Sequence, residues 1–168
     1  NKANYDKVEN NENVEVLDGT ASFIDDHTIL VNNGSDSYEI FAEKIFINTG
    51  TRPFVPNVEG LVIENRIHTS ETLMDLEEYP ETLAILGSGF IGLEFAAIYA
   101  KFGTKVTIID KGDRLLPRED DDVAAAVYES YKSLGVDILF NSEISQVEQN
   151  DDEVSISYTK NGISKELK

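Results

Sequence analysis

At 168 residues the chain can form one domain, or one domain and part of another, and an apolar fraction of 40% is enough for a sizeable core. Its 32 acidic residues against 14 lysines and arginines give a net charge of −18, which argues against nucleic acid or an anionic membrane as a partner. The sequence has no cysteine, which excludes disulfides and thiolate chemistry within it, and no apolar run of membrane-spanning length, so we expect a cytoplasmic protein.

The first fifty residues predict a small β-rich piece. Residues 1–12 are polar and rich in asparagine, and we expect them to be a frayed end. Short alternating apolar runs separated by turn sequences then predict a β-meander, with its runs at residues 14–16, 21–24, 28–31 and 38–40. Residues 44–48 (KIFIN) predict a buried strand that leads into Thr49-Gly50. A piece of this size is not expected to be stable alone, so we assign it to a larger domain.

The next segment predicts a crossover between two domains. Residues 51–60 (TRPFVPNVEG) hold two prolines and predict an extended chain, and we place the domain boundary between residues 58 and 59. Ser70 is a candidate cap for a short helix that runs through Leu76.

The stretch from Leu83 to Asp110 predicts a strand, a glycine-rich turn, an apolar helix and a second strand that ends in an acid. Gly87-Ser88-Gly89-Phe90-Ile91-Gly92 matches G-x-G-x-x-G, and Asp110 follows at the spacing typical of a dinucleotide-binding fingerprint. The motif alone is weak, but the order of elements around it supports this interpretation. The alternative is a glycine-rich turn at an ordinary strand–helix junction.

Each position has a physical reason in such a site. Gly87 permits a tight turn, Gly89 lets a pyrophosphate approach the backbone, and Gly92 lets the helix pack closely on the sheet. The first N–H groups of the helix form an anion site. Asp110 can accept hydrogen bonds from the adenosine ribose and repels a 2′-phosphate, which favours NAD(H) over NADP(H). Three basic residues just beyond it could offset that preference: Lys111, Arg114 and Arg118.

After Asp110 the pattern predicts a loop and a second helix. The helix begins at Asp120-Asp121-Asp122, where acids favour the helix dipole, and Gly135 ends it. Its predicted apolar face comprises Val123, Val127, Tyr131 and Leu134. Beyond it we predict a third parallel strand at residues 137–140, antiparallel strands at 144–147 and 154–158, and then a polar stretch without a further strand.

Three stretches together resemble the class I pyridine nucleotide-disulfide oxidoreductases, the family of lipoamide dehydrogenase, glutathione reductase and mercuric reductase. They are KIFINTGTRP, ILGSGFIGLEFAAIYAKFGTKVTIID and RLLPREDDD, and their wording is most similar to the bacterial branch that includes the reactive-chlorine-resistance flavoprotein. The resemblance implies an α/β fold. Residues 59–168 would be a Rossmann-like three-layer NAD(P)-binding domain with a parallel sheet and a β-meander, lacking its last strand. Residues 1–58 would be a β-rich remnant of an FAD domain.

The resemblance also implies roles for single residues. The glycine motif would approach the NADH pyrophosphate, Phe90 would be the aromatic lid over the flavin, and Glu94 would contact the nicotinamide carboxamide. Asp110 matches the ribose-binding acid, and Ile144 falls where a backbone group contacts the adenine. Thr49 and Gly50 match a turn that passes close to the FAD. The implied NAD site therefore comprises Gly87, Ser88, Gly89, Phe90, Ile91, Gly92, Glu94, Asp110, Lys111 and Ile144.

The residues themselves leave some of these roles open. Glu94 is the only acid in an otherwise apolar helix, so it should face a cavity, a ligand or solvent. An exposed acid favoured by the helix dipole is an equally good interpretation. Phe90 could be plain core packing and Thr49-Gly50 a strand-ending turn. His27 and His68 are isolated, so we expect no metal site.

The leading hypothesis is the NADH-binding portion of a flavin-dependent disulfide reductase, which delivers hydride from NADH to FAD and on to a cysteine pair outside this chain. No residue here is a credible catalytic group for the substrate step, and the full-length protein would be a homodimer. One alternative is a non-catalytic NAD-binding module that senses redox state, which would bind no FAD. Another is a flavoprotein of the NADH oxidase or ferredoxin reductase type, which would lack the cysteine pair.

Overall fold

The computed structural model describes residues 2–168, and the chain divides into two compact units with the boundary between Thr51 and Arg52. The first unit contains a helix and an antiparallel three-stranded meander in the order β1-β2-β3. Its elements are α1 (Lys2–Glu9), β1 (Thr20–Phe23), β2 (Thr28–Asn32) and β3 (Ser37–Phe41).

The helix α1 corrects the expectation of a frayed end over residues 1–12. The Asn10 side chain donates to the carbonyl of Asp6 at 2.5 Å and so closes the last turn. The Tyr5 hydroxyl donates to the Asp18 carboxylate at 3.2 Å, which attaches the helix to the chain before β1. Residue 1 lies outside the described residues. The polar composition concealed a helix that is held by these side-chain hydrogen bonds.

Residues 44–48 do not form the predicted buried strand. They are irregular in this chain, and the side chain of Phe46 is 89% exposed. A strand needs a neighbour to accept and donate its main-chain hydrogen bonds, and no strand among residues 2–168 pairs with this segment. Residues 14–16 are irregular as well, so the meander begins at β1.

The second unit has the predicted Rossmann-like arrangement of three layers. Its parallel sheet has the order β4-β5-β6, and a separate antiparallel sheet has the order β7-β8-β9. The elements are β4 (Thr82–Leu86), α2 (Phe90–Lys101), β5 (Lys105–Ile109), α3 (Asp121–Ser133), β6 (Asp137–Leu139), β7 (Ser142–Gln149), β8 (Val154–Lys160) and β9 (Ile163–Leu167). No helix in this or the other unit, over residues 2–168, has the length and apolarity needed to cross a membrane.

Alternation along β5 explains the layers. Val106 and Ile108 are fully buried in the cluster that includes α2 and α3, whereas Ile109 is buried in a second cluster with Val147 of β7 and Ile156 of β8. Because neighbouring side chains on a strand point to opposite faces, the parallel sheet lies between the helices and the antiparallel sheet β7-β8-β9. A strand buried on both faces is expected to be mostly apolar, and β5 fits this with Val106, Ile108 and Ile109, although the buried Thr107 is polar.

Three details of the second unit differ from the sequence prediction. The short helix is a 3₁₀ turn at Thr72–Asp75, and the hydroxyl of Thr69, not Ser70, accepts the N–H of Glu71 at 3.3 Å. On α3, Val123 is exposed and Ala124 is buried instead. Ala124 and Tyr131 are seven residues apart, which is close to two turns of a helix with 3.6 residues per turn, so they lie on the same face. Val123 is one residue further from Tyr131 and lies off that face.

The chain also continues into a strand that was not predicted. The edge strand β9 pairs with β8 after a turn at Asn161-Gly162, where both residues have positive φ values of 51° and 78°. An Asn-Gly pair is the strongest short hairpin signal, but β9 is mostly polar and exposed, so its residues show no apolar alternation. The strand β9 extends the antiparallel sheet formed by β7 and β8 and does not add to the parallel sheet.

Candidate functional site

The glycine turn lies between β4 and α2, at the carboxyl end of the parallel strands. Gly87 has a φ of 96°, which only glycine adopts without strain, and its N–H donates to the carbonyl of Ile109 at 2.8 Å. Leu93 donates to the carbonyl of Gly89 at 2.9 Å and closes the first turn of α2. The N–H groups before Leu93 have no partner inside the helix and lie at its positive end.

Gly89 and Gly92 lack a side chain for opposite reasons. A Cβ atom on Gly89 would meet no protein atom within 4 Å, so the backbone there is open to a ligand. A Cβ atom on Gly92 would lie 2.5 Å from the carbonyl oxygen of Gly87 and 3.2 Å from Cγ2 of Ile85. The helix can therefore approach the turn and β4 this closely only with glycine at position 92.

Asp110 follows β5 and contacts the glycine turn directly. Its Oδ2 atom accepts hydrogen bonds from both the N–H and the hydroxyl of Ser88, each at 2.6 Å. Its Oδ1 atom accepts the N–H of Gly112, also at 2.6 Å. The carboxylate thus joins the turn after β4 to the loop after β5.

These contacts determine the charge state of Asp110. Partial burial raises the pKa of this carboxyl, but the Ser88 hydroxyl, the N–H groups of Gly112 and Ser88 and the charge of Lys111 outweigh it. The net result is a pKa below the ordinary value of 3.8, because each hydrogen bond favours the ionised form. Asp110 is therefore a carboxylate at neutral pH.

The basic residues beyond Asp110 are not equivalent. The Arg114 guanidinium pairs with Asp121 at the start of α3 and donates to the carbonyls of Pro117 and Glu119, each at 3.0 Å. Lys111 and Arg118 are exposed. Arg114 therefore stabilises its own loop, whereas Lys111 and Arg118 are the residues available to a bound anion.

The loop held by Arg114 contains a strained residue. Leu116 is buried and has a φ of 46°, a region that bulky side chains rarely adopt. Burial of its side chain in the helix-side core and the contacts of Arg114 hold this conformation in place.

The remaining predicted site residues lie in several places. Phe90 is 65% exposed at the start of α2, and Ile91 and Glu94 are exposed on the same helix. The carboxylate of Glu94 thus faces solvent in this chain. Ile144 lies half-buried on β7, whose first residue, Ser142, donates its N–H to the carbonyl of Asp110 at 3.0 Å.

The two residues predicted to contact FAD belong to the first unit. Thr49 and Gly50 are exposed in irregular chain, and Gly50 has a φ of 75°. Their contact with FAD stays a prediction.

The sequence concealed one part of the site, the hydrogen bonds that hold Asp110. The Gly112 contact had a signal, because Asp-Lys-Gly is a sequence in which an Asp side chain accepts the N–H two residues later. The Ser88 contact had none, because it depends on how closely the two strands bring their ends together.

The site is open in front of Gly89, where a Cβ atom would meet no protein atom within 4 Å. An open cleft of about 550 Å³ lies elsewhere, between residues 60–64 and the β7–β8 turn. None of the predicted site residues lines it. We place the candidate site at the glycine turn, because the open backbone at Gly89 and the hydrogen-bonded Asp110 carboxylate belong to the same turn.

Comparison with known proteins identifies relatives over nearly the whole chain. Residues 2–167 match the family described as pyridine nucleotide-disulphide oxidoreductase. The chain is 38% identical over 153 residues to the probable pyridine nucleotide-disulfide oxidoreductase RclA of Escherichia coli K12, covering 91% of this chain and 35% of that protein. It is 34% identical over 155 residues to the dihydrolipoyl dehydrogenase of Geobacillus stearothermophilus, covering 92% and 32%.

A solved structure agrees with these matches. The HOCl-induced flavoprotein disulfide reductase RclA from Escherichia coli superposes with a TM-score of 0.77 at 35% identity, over 98% of this chain and 37% of that one. The chain spans about a third of the length of the relatives it matches.

Proposed function

The chain belongs to the pyridine nucleotide-disulphide oxidoreductases, as its three motif stretches predicted, and we propose that it is the part of such an enzyme that binds NADH. The observation that carries the proposal is the glycine turn, open in front of Gly89 and bonded to the Asp110 carboxylate. Bound NADH would supply a hydride to FAD, and the electron pair would then pass to cysteines outside this chain. The residues described here bind and orient the nucleotide.

The glycine turn suits the pyrophosphate. The open backbone at Gly89 allows close approach, and the N–H groups at the start of α2 supply donors at the positive end of the helix. The turn is rigid because Gly87 and Ser88 are both hydrogen-bonded to the end of β5. We therefore propose that the backbone at Gly89 and the N–H groups of residues 90–92 hold the two phosphates.

Asp110 suits the adenosine ribose. Its ionised carboxylate is an acceptor for ribose hydroxyls and repels a 2′-phosphate, which supports NADH as the nucleotide. Arg114 does not offset this preference, because its guanidinium is engaged by Asp121 and two main-chain carbonyls. Lys111 and Arg118 are the residues that could contact the adenosine side of the nucleotide.

The family resemblance supplies the remaining roles as proposals. We propose that exposed Phe90 covers the flavin, that Glu94 contacts the nicotinamide carboxamide, and that main-chain atoms at Ile144 contact the adenine. In the longer protein, Thr49 and Gly50 would contact FAD. A homodimer in the cytoplasm is the expected form of the whole enzyme.

Calorimetric titration of the chain with NADH and NADPH, repeated with Asp110→Ala, tests the proposal. We expect saturable binding of NADH, weaker binding of NADPH, and a loss of about tenfold to a hundredfold in NADH affinity for the variant, because a hydrogen bond to a charged group is lost. Glu166→Ala, on β9, is a control for loss of an exposed carboxylate away from the glycine turn. Equal affinities of the parent chain for the two nucleotides, or no binding of NADH, would contradict the proposal.

A further inference from the structure

We propose that Ser88 is a positioning residue that sets the preference between NADH and NADPH by fixing the Asp110 carboxylate, and that its hydroxyl contacts no phosphate. The inference rests on the proposed function, since it assigns one residue of the glycine turn to the ribose end of the nucleotide. It separates Ser88 from its neighbours in the turn, whose backbone faces the ligand.

The hydrogen bonds of Ser88 show that its side chain is engaged by Asp110. The residue is only 4% exposed, and both its N–H and its hydroxyl donate to the same carboxylate oxygen at 2.6 Å. A serine hydroxyl has a single proton to donate. Because that proton is committed to Asp110, the Ser88 side chain has no donor left for a pyrophosphate.

The hydrogen bonds that Asp110 already accepts limit what its carboxylate can offer to a ribose. A carboxylate accepts about four hydrogen bonds, and three are already made: two at Oδ2 from Ser88 and one at Oδ1 from Gly112. Rotation of the carboxylate would break contacts at both oxygens. Asp110 therefore offers a ribose a single remaining acceptor position, on Oδ1, and that position is fixed before the nucleotide arrives.

A fixed carboxylate discriminates more strongly than a mobile one. For NADH, the acceptor needs no reordering, so the hydrogen bond to the ribose costs less on binding. For NADPH, the same carboxylate cannot turn away from the 2′-phosphate, so the repulsion between two negative charges remains. Removal of the Ser88 hydroxyl should weaken NADH binding and at the same time relieve the penalty on NADPH.

A direct contact from Ser88 to the pyrophosphate would give a different result. NADH and NADPH share the pyrophosphate, so loss of such a contact would weaken both to the same extent. The ratio of the two dissociation constants thus distinguishes a positioning role from a phosphate contact.

The experiment compares Ser88→Ala with Ser142→Ala. Ser142 is a matched control, because it is 2% exposed and its hydroxyl donates to the carbonyl of Phe140 at 3.0 Å and not to Asp110. Calorimetry should show that the preference for NADH over NADPH falls about threefold to tenfold in Ser88→Ala and is unchanged in Ser142→Ala. In an Asp110→Ala background, Ser88→Ala should have no further effect on the ratio. An unchanged ratio, an equal loss for both nucleotides, or an effect that persists without Asp110 would overturn the inference.

A measurement without nucleotide separates this inference from the proposed function. NMR titration of the Asp110 carboxyl should show a higher pKa in Ser88→Ala than in the parent chain, and the parent value in Ser142→Ala, because one hydrogen bond to the ionised form is lost. An unchanged pKa in Ser88→Ala overturns the inference even where NADH binds. If Ser88→Ala does not fold, Ser88→Cys keeps the volume with a much weaker donor, and the same shifts are expected in it.

Discussion

Two glycines of one turn should respond in opposite ways to the same substitution. In Gly89→Ala the new methyl group meets no protein atom within 4 Å, and the φ of −69° at this residue is one that alanine adopts freely. The free energy of unfolding should change by no more than about 0.5 kcal/mol. The methyl group projects into the space where we place the pyrophosphate. Overlap of about 1–3 kcal/mol there would weaken NADH binding about 5-fold to 150-fold.

In Gly92→Ala the methyl group would lie 2.5 Å from the carbonyl oxygen of Gly87, so either the turn or the helix must shift. Such overpacking costs about 1–3 kcal/mol, and the better helix propensity of alanine returns up to about 1 kcal/mol. We expect a net loss of about 1–2 kcal/mol in the free energy of unfolding, measured by urea denaturation. The reasoning is refuted if Gly92→Ala is as stable as the parent chain, or if Gly89→Ala is the less stable of the two.

Three further predictions concern the surroundings of the site. Arg114→Ala should lower the free energy of unfolding by about 1 kcal/mol, because the ion pair with Asp121 and two main-chain hydrogen bonds are lost. Calorimetry should find the preference for NADH over NADPH unchanged in this variant. A changed preference would mean that Arg114 contacts the nucleotide. Tyr131→Phe should cost about 0.5–1.5 kcal/mol in urea denaturation, because the hydroxyl donates from α3 to the carbonyl of Leu93 in α2 at 2.8 Å; an unchanged midpoint would exclude this link between the helices. The pKa of Asp110 in the fold lies below its ordinary value of 3.8, so the stabilising effect of the carboxylate is full above that pH and is lost as the pH falls through the lowered pKa. The stability difference between the parent chain and Asp110→Asn should therefore be smaller near pH 3 than at pH 7. A difference that grows on acidification would contradict the assignment.

The parts of the fold that the sequence predicted well are those specified by local signals. The glycine turn, the apolar helix α2 and the apolar strand β5 follow one another closely, and each carries its own pattern of residues. The alternation along β5 also gave the parallel sheet its two buried faces.

The errors arose for more than one reason. The apolar run at residues 44–48 has the composition of a core strand, but composition does not provide a neighbouring strand. The polar helix α1 depends on contacts of Tyr5 and Asn10 that no periodicity reveals. The edge strand β9 had a signal in Asn161-Gly162.

In the candidate site, too, the residues of a local motif could be predicted from the sequence, whereas contacts made between strands could not. The glycines and Asp110 form a sequence motif, so the sequence identified them and their relative positions. The number of hydrogen bonds that Asp110 already makes is a property of the assembled strands, and it indicates that Ser88, which the sequence places only within the nucleotide motif, supports the acid.

The most direct test of a nucleotide site at the glycine turn is a backbone amide NMR titration of the chain with NADH. We expect the largest shift changes on residues 87–93 and 110–112, because these residues form the glycine turn and the start of α2 that would face the ligand, or surround the Asp110 carboxylate. Changes centred on the cleft beside residues 60–64, or the absence of changes at the glycine turn with saturating NADH, would contradict it.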